Sequence, residues 1–283
     1  MLKRVGGYLL PFEGEAPLAS RELQDLGYTQ LEAVLSLEQV AALRAEIDEV
    51  YANTPRDARA DGAREAEEDE DFRYEMFNRS PLAQETIGHG AILDTIEPLL
   101  GEDCHVIANT CWRNPPREKN QHGGGFWHID AGPHVPRDPS IPWDDRIPYP
   151  IFAIGAHIYL ADCPIESGPT GVIPGSHKSG MRPPPDRYND VNLTCNGVSV
   201  QPLVAKAGDV CLFVSDVWHR RLPSLPGDQG RYFLQAHYGR RDIAQRVRTT
   251  ATVNHVSEAA AARAETARER QLLGLHGPFF YDG

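Results

Sequence analysis

The feature that most constrains the fold is a series of short β-forming segments between residues 104 and 241, separated by turns rich in Gly and Pro. Short strands divided by such turns are typical of an antiparallel sandwich or barrel. The preceding hundred residues carry helical patterns instead, so we expect helices packed outside the β structure. The predicted strands span residues 104–112, 125–129, 151–160, 198–204, 210–214 and 231–238.

Three helices are predicted in the first hundred residues. Ser36 and Gln39 have the spacing of a capping box, and apolar residues recur at helical intervals after them. A second helix should begin at Ser80-Pro81, where proline takes the favoured first position. A third should begin near Ala91 and end by Gly101.

The chain is predicted to form one domain over residues 1–283. Residues 1–103 should be mostly helical, residues 104–241 should form the β core, and residues 242–283 should form an extension with a helix over 258–273. A strongly acidic segment at 61–71 is interpreted as a solvated loop. The aromatic tail at 278–281 is expected to pack back onto the body.

Composition excludes several classes of partner. The formal net charge is -12 and no long Lys/Arg-rich stretch occurs, which argues against binding to nucleic acid or an anionic membrane. The five cysteines form no CxxC pair, which favours a reducing compartment. No signal-peptide pattern or membrane-length apolar segment is found, so we expect a cytoplasmic protein.

His128-Ile129-Asp130 and His219 predict a metal site with two histidines and one carboxylate. Residues two apart on a strand point to the same face, so His128 and Asp130 would direct an imidazole and a carboxylate to one point. His219 follows the strand at 210–214, far enough along the chain for several strands to intervene. This set occupies one face of an octahedral iron and leaves the other face open, although it also binds manganese, cobalt or nickel.

Arg231 is the best candidate for binding a co-substrate. Iron of this type needs an electron-supplying co-substrate, and a keto acid can chelate the metal while its far carboxylate binds a guanidinium. Arg231 opens the strand at 231–238. Arg220 and Arg221 are alternatives, but they adjoin His219 and are expected to point away from the pocket or into a turn.

Substrate contacts are predicted on one strand and one loop. His157 and Tyr159 share a face of the strand at 151–160, where the alternative interpretation is ordinary packing of polar aromatics. The Pro-rich stretch between residues 131 and 150 directly follows the His-x-Asp tripeptide and is interpreted as a lid or specificity loop. Trp143 in this loop could cover an apolar substrate.

Several motifs follow one another in a defined order from residue 26 to residue 241. They are Gly27-Tyr28, Ser36-Leu37, His128-Ile129-Asp130, Ser167-Gly168-Pro169, Pro174-Gly175-Ser176-His177-Lys178, Gly208-Asp209, His219 and Arg231. In both the order and the spacing of these motifs, the chain resembles the phytanoyl-CoA dioxygenase family of iron(II)- and 2-oxoglutarate-dependent oxygenases.

The resemblance implies a mainly β fold with flanking helices, in which a double-stranded β-helix (a jelly roll of the cupin type) holds iron(II) inside its mouth. It implies His128, Asp130 and His219 as iron ligands and Arg231 as the anchor for the distal carboxylate of 2-oxoglutarate. It also implies a co-substrate contact at Asn114. 2-Oxoglutarate and O2 would be converted to succinate and CO2 while a small or medium organic molecule is hydroxylated.

Three further residues bear on this resemblance. His177 belongs to the family's Pro-Gly-Ser-His turn and is interpreted as shaping a loop, not binding iron. Arg221 stands where relatives can carry a small hydroxyl residue that helps to hold 2-oxoglutarate. Asp130 occupies the position where halogenating relatives carry a small residue, which favours hydroxylation or a related oxidation.

Two other classes of function stay open from the sequence. One is a metal-dependent cupin-type dioxygenase or isomerase that uses no keto acid. The other is a non-catalytic jelly roll that binds a ligand. The complete ligand set argues against the second, because a binding module has no need of all three ligands.

Overall fold

The computed structural model describes residues 1–5, 8–55, 71–116, 123–138, 140–141, 143–144, 146–245 and 256–277. The predicted acidic loop lies outside these residues except for Asp71, and so does the predicted aromatic tail. The helices in the described part are α1 (Leu18–Leu26), α2 (Leu37–Asn53), α3 (Met76–Arg79), α4 (Pro81–Ile87), α5 (Gly90–Leu100), α6 (Glu258–Arg263) and α7 (Ala267–Leu272). The strands are β1 (Leu2–Val5), β2 (Tyr8–Pro11), β3 (Tyr28–Leu31), β4 (Asp71–Tyr74), β5 (His105–Asn114), β6 (Ala153–Tyr159), β7 (Thr170–Val172), β8 (Gln201–Pro202), β9 (Val210–Val214), β10 (His219–Arg221) and β11 (Arg231–Gly239).

The centre of the fold is an antiparallel six-stranded sheet in the order β3-β9-β6-β11-β5-β4. Side chains alternate between its two faces. The outer face carries Ile154, Ile158 and Leu234, which belong to a buried cluster with apolar residues of the helices, such as Leu43 and Ile96. Helices therefore cover this face, as the sequence predicted.

The inner face of the large sheet carries a second apolar cluster. Tyr159, Phe213 and Phe233 pack there with Val172 and Leu203. Val172 lies on β7, the middle strand of a three-stranded sheet in the order β10-β7-β8. The two sheets therefore pack face to face through this cluster, and side chains on their inner faces lie between them.

The three predicted N-terminal helices are confirmed. Ser36 and Gln39 form a capping box at the start of α2, and the Ser80 hydroxyl accepts a hydrogen bond at the start of α4, where Pro81 is the first residue. α5 includes Pro98 and ends at Leu100. In the described part of the chain, no helix is long and apolar enough to cross a membrane.

Several strand predictions need correction. β5, β6, β9 and β11 match the predicted segments closely, whereas the segment predicted at 198–204 contains only the two-residue strand β8. The predicted strand at 125–129 is extended chain with a single bridge, His128 to His219. The described part of the first 103 residues also contains four strands, and β3 and β4 form the two edges of the large sheet.

Candidate metal centre

The segment that carries His128 and Asp130 is held by hydrogen bonds to the chain around His219. The His128 amide donates to the His219 carbonyl at 3.0 Å, and the His219 amide donates to the His128 carbonyl at 3.0 Å. The Asp130 amide donates to the Ser215 carbonyl at 3.0 Å. Trp127 and Ile129 are buried on the opposite side of this segment. The period of two is therefore kept without a regular strand, and His128 and Asp130 project together, as predicted.

His219 reaches the same place from the small sheet. It begins β10, where it pairs with Val172 of β7. Its neighbour Trp218 joins the apolar cluster that contains Trp127 and Ile129. One cluster therefore fixes both ligand-bearing segments from behind.

Hydrogen bonds orient the two imidazoles of the cluster. The Nδ1 atom of His128 lies 2.9 Å from the Phe126 carbonyl, and the Nδ1 atom of His219 lies 2.9 Å from the Val217 carbonyl. A carbonyl can only accept, so each Nδ1 carries the proton. Both Nε2 atoms are then left with a lone pair for a metal.

The nitrogen and carboxylate atoms of His128, Asp130 and His219 all lie within 4.8 Å of one another. The Oδ1 atom of Asp130 is 3.4 Å from Nε2 of His219 and 3.9 Å from Nε2 of His128. The His128 side chain is 41% exposed, whereas that of His219 is 6% exposed. The cluster therefore opens to solvent on the side of His128.

The charges of the cluster favour a cation. Burial alone would raise the pKa of Asp130, but His219 and His237 outweigh it and hold this pKa well below its ordinary value. Burial would lower the pKa of His219, but Asp130 raises it overall. Two oriented imidazoles and one ionised carboxylate match the donor set of a divalent transition metal such as iron(II), so the residues fit the metal that the resemblance implies.

Metal binding is predicted to weaken with acid because a proton competes for His219. The raised pKa of His219 means that its imidazole keeps a proton at higher pH than an ordinary histidine, and ligation requires the neutral form. We expect the apparent affinity for cobalt(II) to fall from about pH 8 to about pH 6, with proton release on binding. Calorimetry in buffers of different ionisation heats measures both. A small chelator titrated in parallel is the control, and constant affinity without proton release would contradict the prediction.

Arg231 and Asn114 lie opposite each other at the ends of β11 and β5. Directly opposed residues share a face, and Arg231 is two residues from Phe233, so both side chains belong to the inner face. Arg231 donates a long hydrogen bond of 3.4 Å from Nη1 to the Gly168 carbonyl. Both residues are buried, and within the described part of the chain neither Nε of Arg231 nor Oδ1 of Asn114 has a hydrogen-bond partner. Such groups are costly to bury unsatisfied, and a polar ligand at this place would satisfy them.

His157 and Tyr159 point inward from β6 and are buried. The Nδ1 atom of His157 lies 3.3 Å from the Thr170 hydroxyl. Burial, followed by the charge of Arg231, holds the pKa of His157 well below its ordinary value, and Asp130 also acts on it. His157 is therefore a neutral, buried group within electrostatic reach of both Arg231 and Asp130.

The predicted lid loop is attached to the chain between Ser215 and His219. The backbone amide of His134 donates to Asp216 at 2.8 Å, and the His134 imidazole also contacts this carboxylate. Trp143 donates from its indole to the Ile147 carbonyl at 2.6 Å and packs edge-on against Tyr149, with ring centroids 4.9 Å apart. The substrate role of Trp143 stays a prediction.

His177 lies away from the metal cluster and shapes a loop, in agreement with its interpretation from the sequence. Its Nε2 atom is 3.2 Å from the Gln24 carbonyl, and burial lowers its pKa to about 4. Gly27 has a positive φ of 83°, and a Cβ atom there would lie 2.6 Å from Nδ1 of His177. The motifs that contain Gly27 and His177 therefore pack against each other.

The register of β10 separates the two arginines after His219. Arg220 points away from the pocket, with its guanidinium 5.7 Å from the Trp127 ring. Arg221 lies two residues from His219 and opposite Thr170, on the ligand-bearing face. The expectation that both arginines point away from the pocket or into a turn is therefore corrected for Arg221, which lies on the strand face that carries His219.

Sequence analysis missed Gln235 and His237. Both follow Arg231 at alternating positions on the inner face of β11, and Nδ1 of His237 lies 3.6 Å from Oδ2 of Asp130. The available signal was the alternation itself, because polar residues at 231, 235 and 237 interrupt a strand that is otherwise apolar or small on both faces.

Comparison with known proteins identifies the family and the fold. The family model described as Phytanoyl-CoA dioxygenase (PhyH) matches residues 23–223. No curated protein matches the chain significantly. The matched residues include His128, Asp130 and His219 but not Arg231.

Solved structures of three proteins are similar in fold. The non-heme alpha ketoglutarate dependent epimerase SnoN from nogalamycin biosynthesis is 21% identical, with a TM-score of 0.57 over 78% of this chain and 81% of that one. The carbocyclase SnoK from the same biosynthesis is 20% identical, with a TM-score of 0.59 over 81% and 86%. HygX from Streptomyces hygroscopicus, solved with nickel and 2-oxoglutarate, is 16% identical, with a TM-score of 0.58 over 81% and 89%. These similarities confirm the predicted jelly-roll core with flanking helices.

Proposed function

This chain belongs to the phytanoyl-CoA dioxygenase family, and on that premise we propose that it is an iron(II)- and 2-oxoglutarate-dependent oxygenase that hydroxylates a small or medium organic molecule. His128, Asp130 and His219 are the proposed metal ligands. Substrate, 2-oxoglutarate and O2 would give hydroxylated product, succinate and CO2. The bound iron supplies the oxygen activation, with electrons from the keto acid.

The observation that carries the proposal is the pair of unsatisfied buried polar groups at Arg231 and Asn114. A guanidinium beside an amide suits a carboxylate, because charge-assisted hydrogen bonds to it are strong and directional. The buried ring of His157 lies within electrostatic reach of both Arg231 and the metal cluster. A short keto acid with a second carboxylate would satisfy both ends of such a pocket.

The chain's own residues prepare the site for this chemistry. The Phe126 and Val217 carbonyls fix the two imidazoles, so that the ligands need little rearrangement when a metal binds. Phe213 and Phe233 line the inner face, where their rings exclude water from the pocket. We propose His157 and Tyr159 as walls of the co-substrate pocket, and the exposed side of His128 as the direction from which substrate enters.

The type of oxidation is the finer part of the proposal. SnoN is described as an epimerase and SnoK as a carbocyclase. Hydroxylation adds one oxygen atom to the product, epimerisation leaves the mass unchanged, and oxidative ring closure removes two hydrogen atoms. Product mass therefore separates the three outcomes for this chain.

The co-substrate is tested by anaerobic titration. We expect a weak visible charge-transfer band when iron(II) and 2-oxoglutarate are both present, because the keto acid chelates the metal. Succinate, which lacks the keto group, is the control and should give no band. Absence of the band with 2-oxoglutarate in a folded protein would contradict the proposal. Succinate release across a panel of metabolites then identifies the substrate.

A further inference from the structure

A chain of hydrogen bonds leads from β5 across β11 to the metal cluster. The indole Nε1 of Trp112 donates to Oε1 of Gln235 at 2.8 Å. The Nε2 atom of Gln235 lies 2.8 Å from Nε2 of His237. The Nδ1 atom of His237 is then 3.6 Å from Oδ2 of Asp130.

The chemistry of these groups fixes the direction of each hydrogen bond. An indole N–H can only donate, so it sets the Gln235 oxygen towards Trp112 and the Gln235 NH2 towards His237. An amide NH2 donates, so Nε2 of His237 accepts. The neutral imidazole then carries its proton on Nδ1, the atom that faces Asp130.

The two oxygens of Asp130 face different partners. Oδ1 lies 3.4 Å from Nε2 of His219 and 3.9 Å from Nε2 of His128, which are the metal-facing nitrogens. Oδ2 faces His237. Its 3.6 Å separation from Nδ1 exceeds a normal hydrogen bond by about half an ångström, so a small shift would complete one.

Gly155 makes room for this arrangement. It lies opposite His237 on β6. A Cβ atom at Gly155 would lie 2.9 Å from the Phe213 ring and 3.2 Å from the His237 ring. Close packing on the inner face therefore holds the His237 ring beside the cluster.

We propose that His237 is a positioning residue that holds Oδ2 of Asp130, so that the carboxylate binds the metal through Oδ1 alone. The inference rests on the proposed function, because it assumes that the cluster binds metal. Its consequence is an open coordination position. Three protein atoms leave three places on an octahedral ion, enough for a bidentate keto acid and O2, whereas a bidentate aspartate would occupy one of them.

Three variants test this positioning role. His237→Ala removes the donor, and we expect iron(II) or cobalt(II) affinity to fall about 10- to 100-fold, as when other supports of ligands are removed. His237→Asn keeps an N–H donor near the position of Nδ1 and should restore most of the affinity. Gln235→Met leaves His237 in place but removes the NH2 group that selects the tautomer protonated on Nδ1. We therefore expect a smaller loss of metal affinity. Gln201→Met, on the exposed strand β8, is the matched control.

The measurements are anaerobic metal titration, intensity of the 2-oxoglutarate charge-transfer band, and thermal unfolding. Unchanged metal affinity in His237→Ala would overturn the inference, and so would equal losses in folded His237→Ala and His237→Asn. If His237→Ala does not fold, Gln235→Met decides, and affinity equal to that of Gln201→Met would overturn the inference. Failure of the unaltered protein to bind metal would instead overturn the proposed function.

Discussion

Replacing Asp130 by alanine is expected to abolish turnover and to weaken metal binding by more than about 100-fold, the upper end for losing a mere support of a ligand. Asp130 supplies the only carboxylate of the cluster found in the described residues. Its charge also raises the pKa of His219, so its loss removes an attraction for the cation as well as a ligand. Anaerobic cobalt(II) titration measures affinity, and succinate release measures turnover.

Asp186→Ala is the matched control for Asp130→Ala. Asp186 is an exposed aspartate in the short 3-10 helix Pro185–Arg187, so its substitution should leave metal binding and turnover unchanged. Thermal unfolding of both variants separates loss of ligation from loss of fold. If Asp130→Ala kept full metal affinity and every measurable activity, a non-catalytic ligand-binding jelly roll would be favoured.

The pairing of His128 with Asp130 could be predicted because its geometry is local. The period of two that joins His128 and Asp130 needs only extended chain, and a bridge to His219 with one apolar cluster supplies that extension without a regular strand. The predicted strand at 125–129 was therefore wrong, but the prediction that His128 and Asp130 point the same way was right. His219 required only a return of the chain to the same edge.

Other elements could not be predicted because their causes lie far along the chain. In β3, Tyr28 pairs with Phe213. The local sequence of this four-residue strand does not predict so distant a partner. The predicted helix at 258–273 is two helices, and here a local signal was missed. Thr266 and Glu269 form a capping box, and their spacing in the sequence predicts the start of a second helix.

Arg231→Ala is expected to weaken 2-oxoglutarate binding by about two to three orders of magnitude, which corresponds to about 3–4 kcal/mol for truncating one partner of a buried charge pair. The reason is the loss of the buried guanidinium on the inner face of β11, opposite Asn114. Arg231→Lys keeps a charge but not the planar fork, so an intermediate loss is expected. The charge-transfer band at saturating iron(II) gives the dissociation constant. Arg21→Ala on α1 is the control, because the Arg21 side chain is 42% exposed and pairs with Glu15.

If Arg231 binds the distal carboxylate, its replacement by alanine must weaken the binding of 2-oxoglutarate and leave the binding of metal unchanged. Cobalt(II) affinity should stay unchanged, since Arg231 is not a ligand, while the Michaelis constant for 2-oxoglutarate rises. Selectivity gives a sharper measurement. The unaltered protein should prefer 2-oxoglutarate over 2-oxobutyrate, which lacks the distal carboxylate, and Arg231→Ala should lose that preference because binding of 2-oxobutyrate never used the guanidinium. Full turnover in Arg231→Ala without added 2-oxoglutarate would favour a cupin-type dioxygenase or isomerase that uses the same metal ligands without a keto acid. Undiminished selectivity for 2-oxoglutarate would instead contradict the assignment of Arg231 to the distal carboxylate.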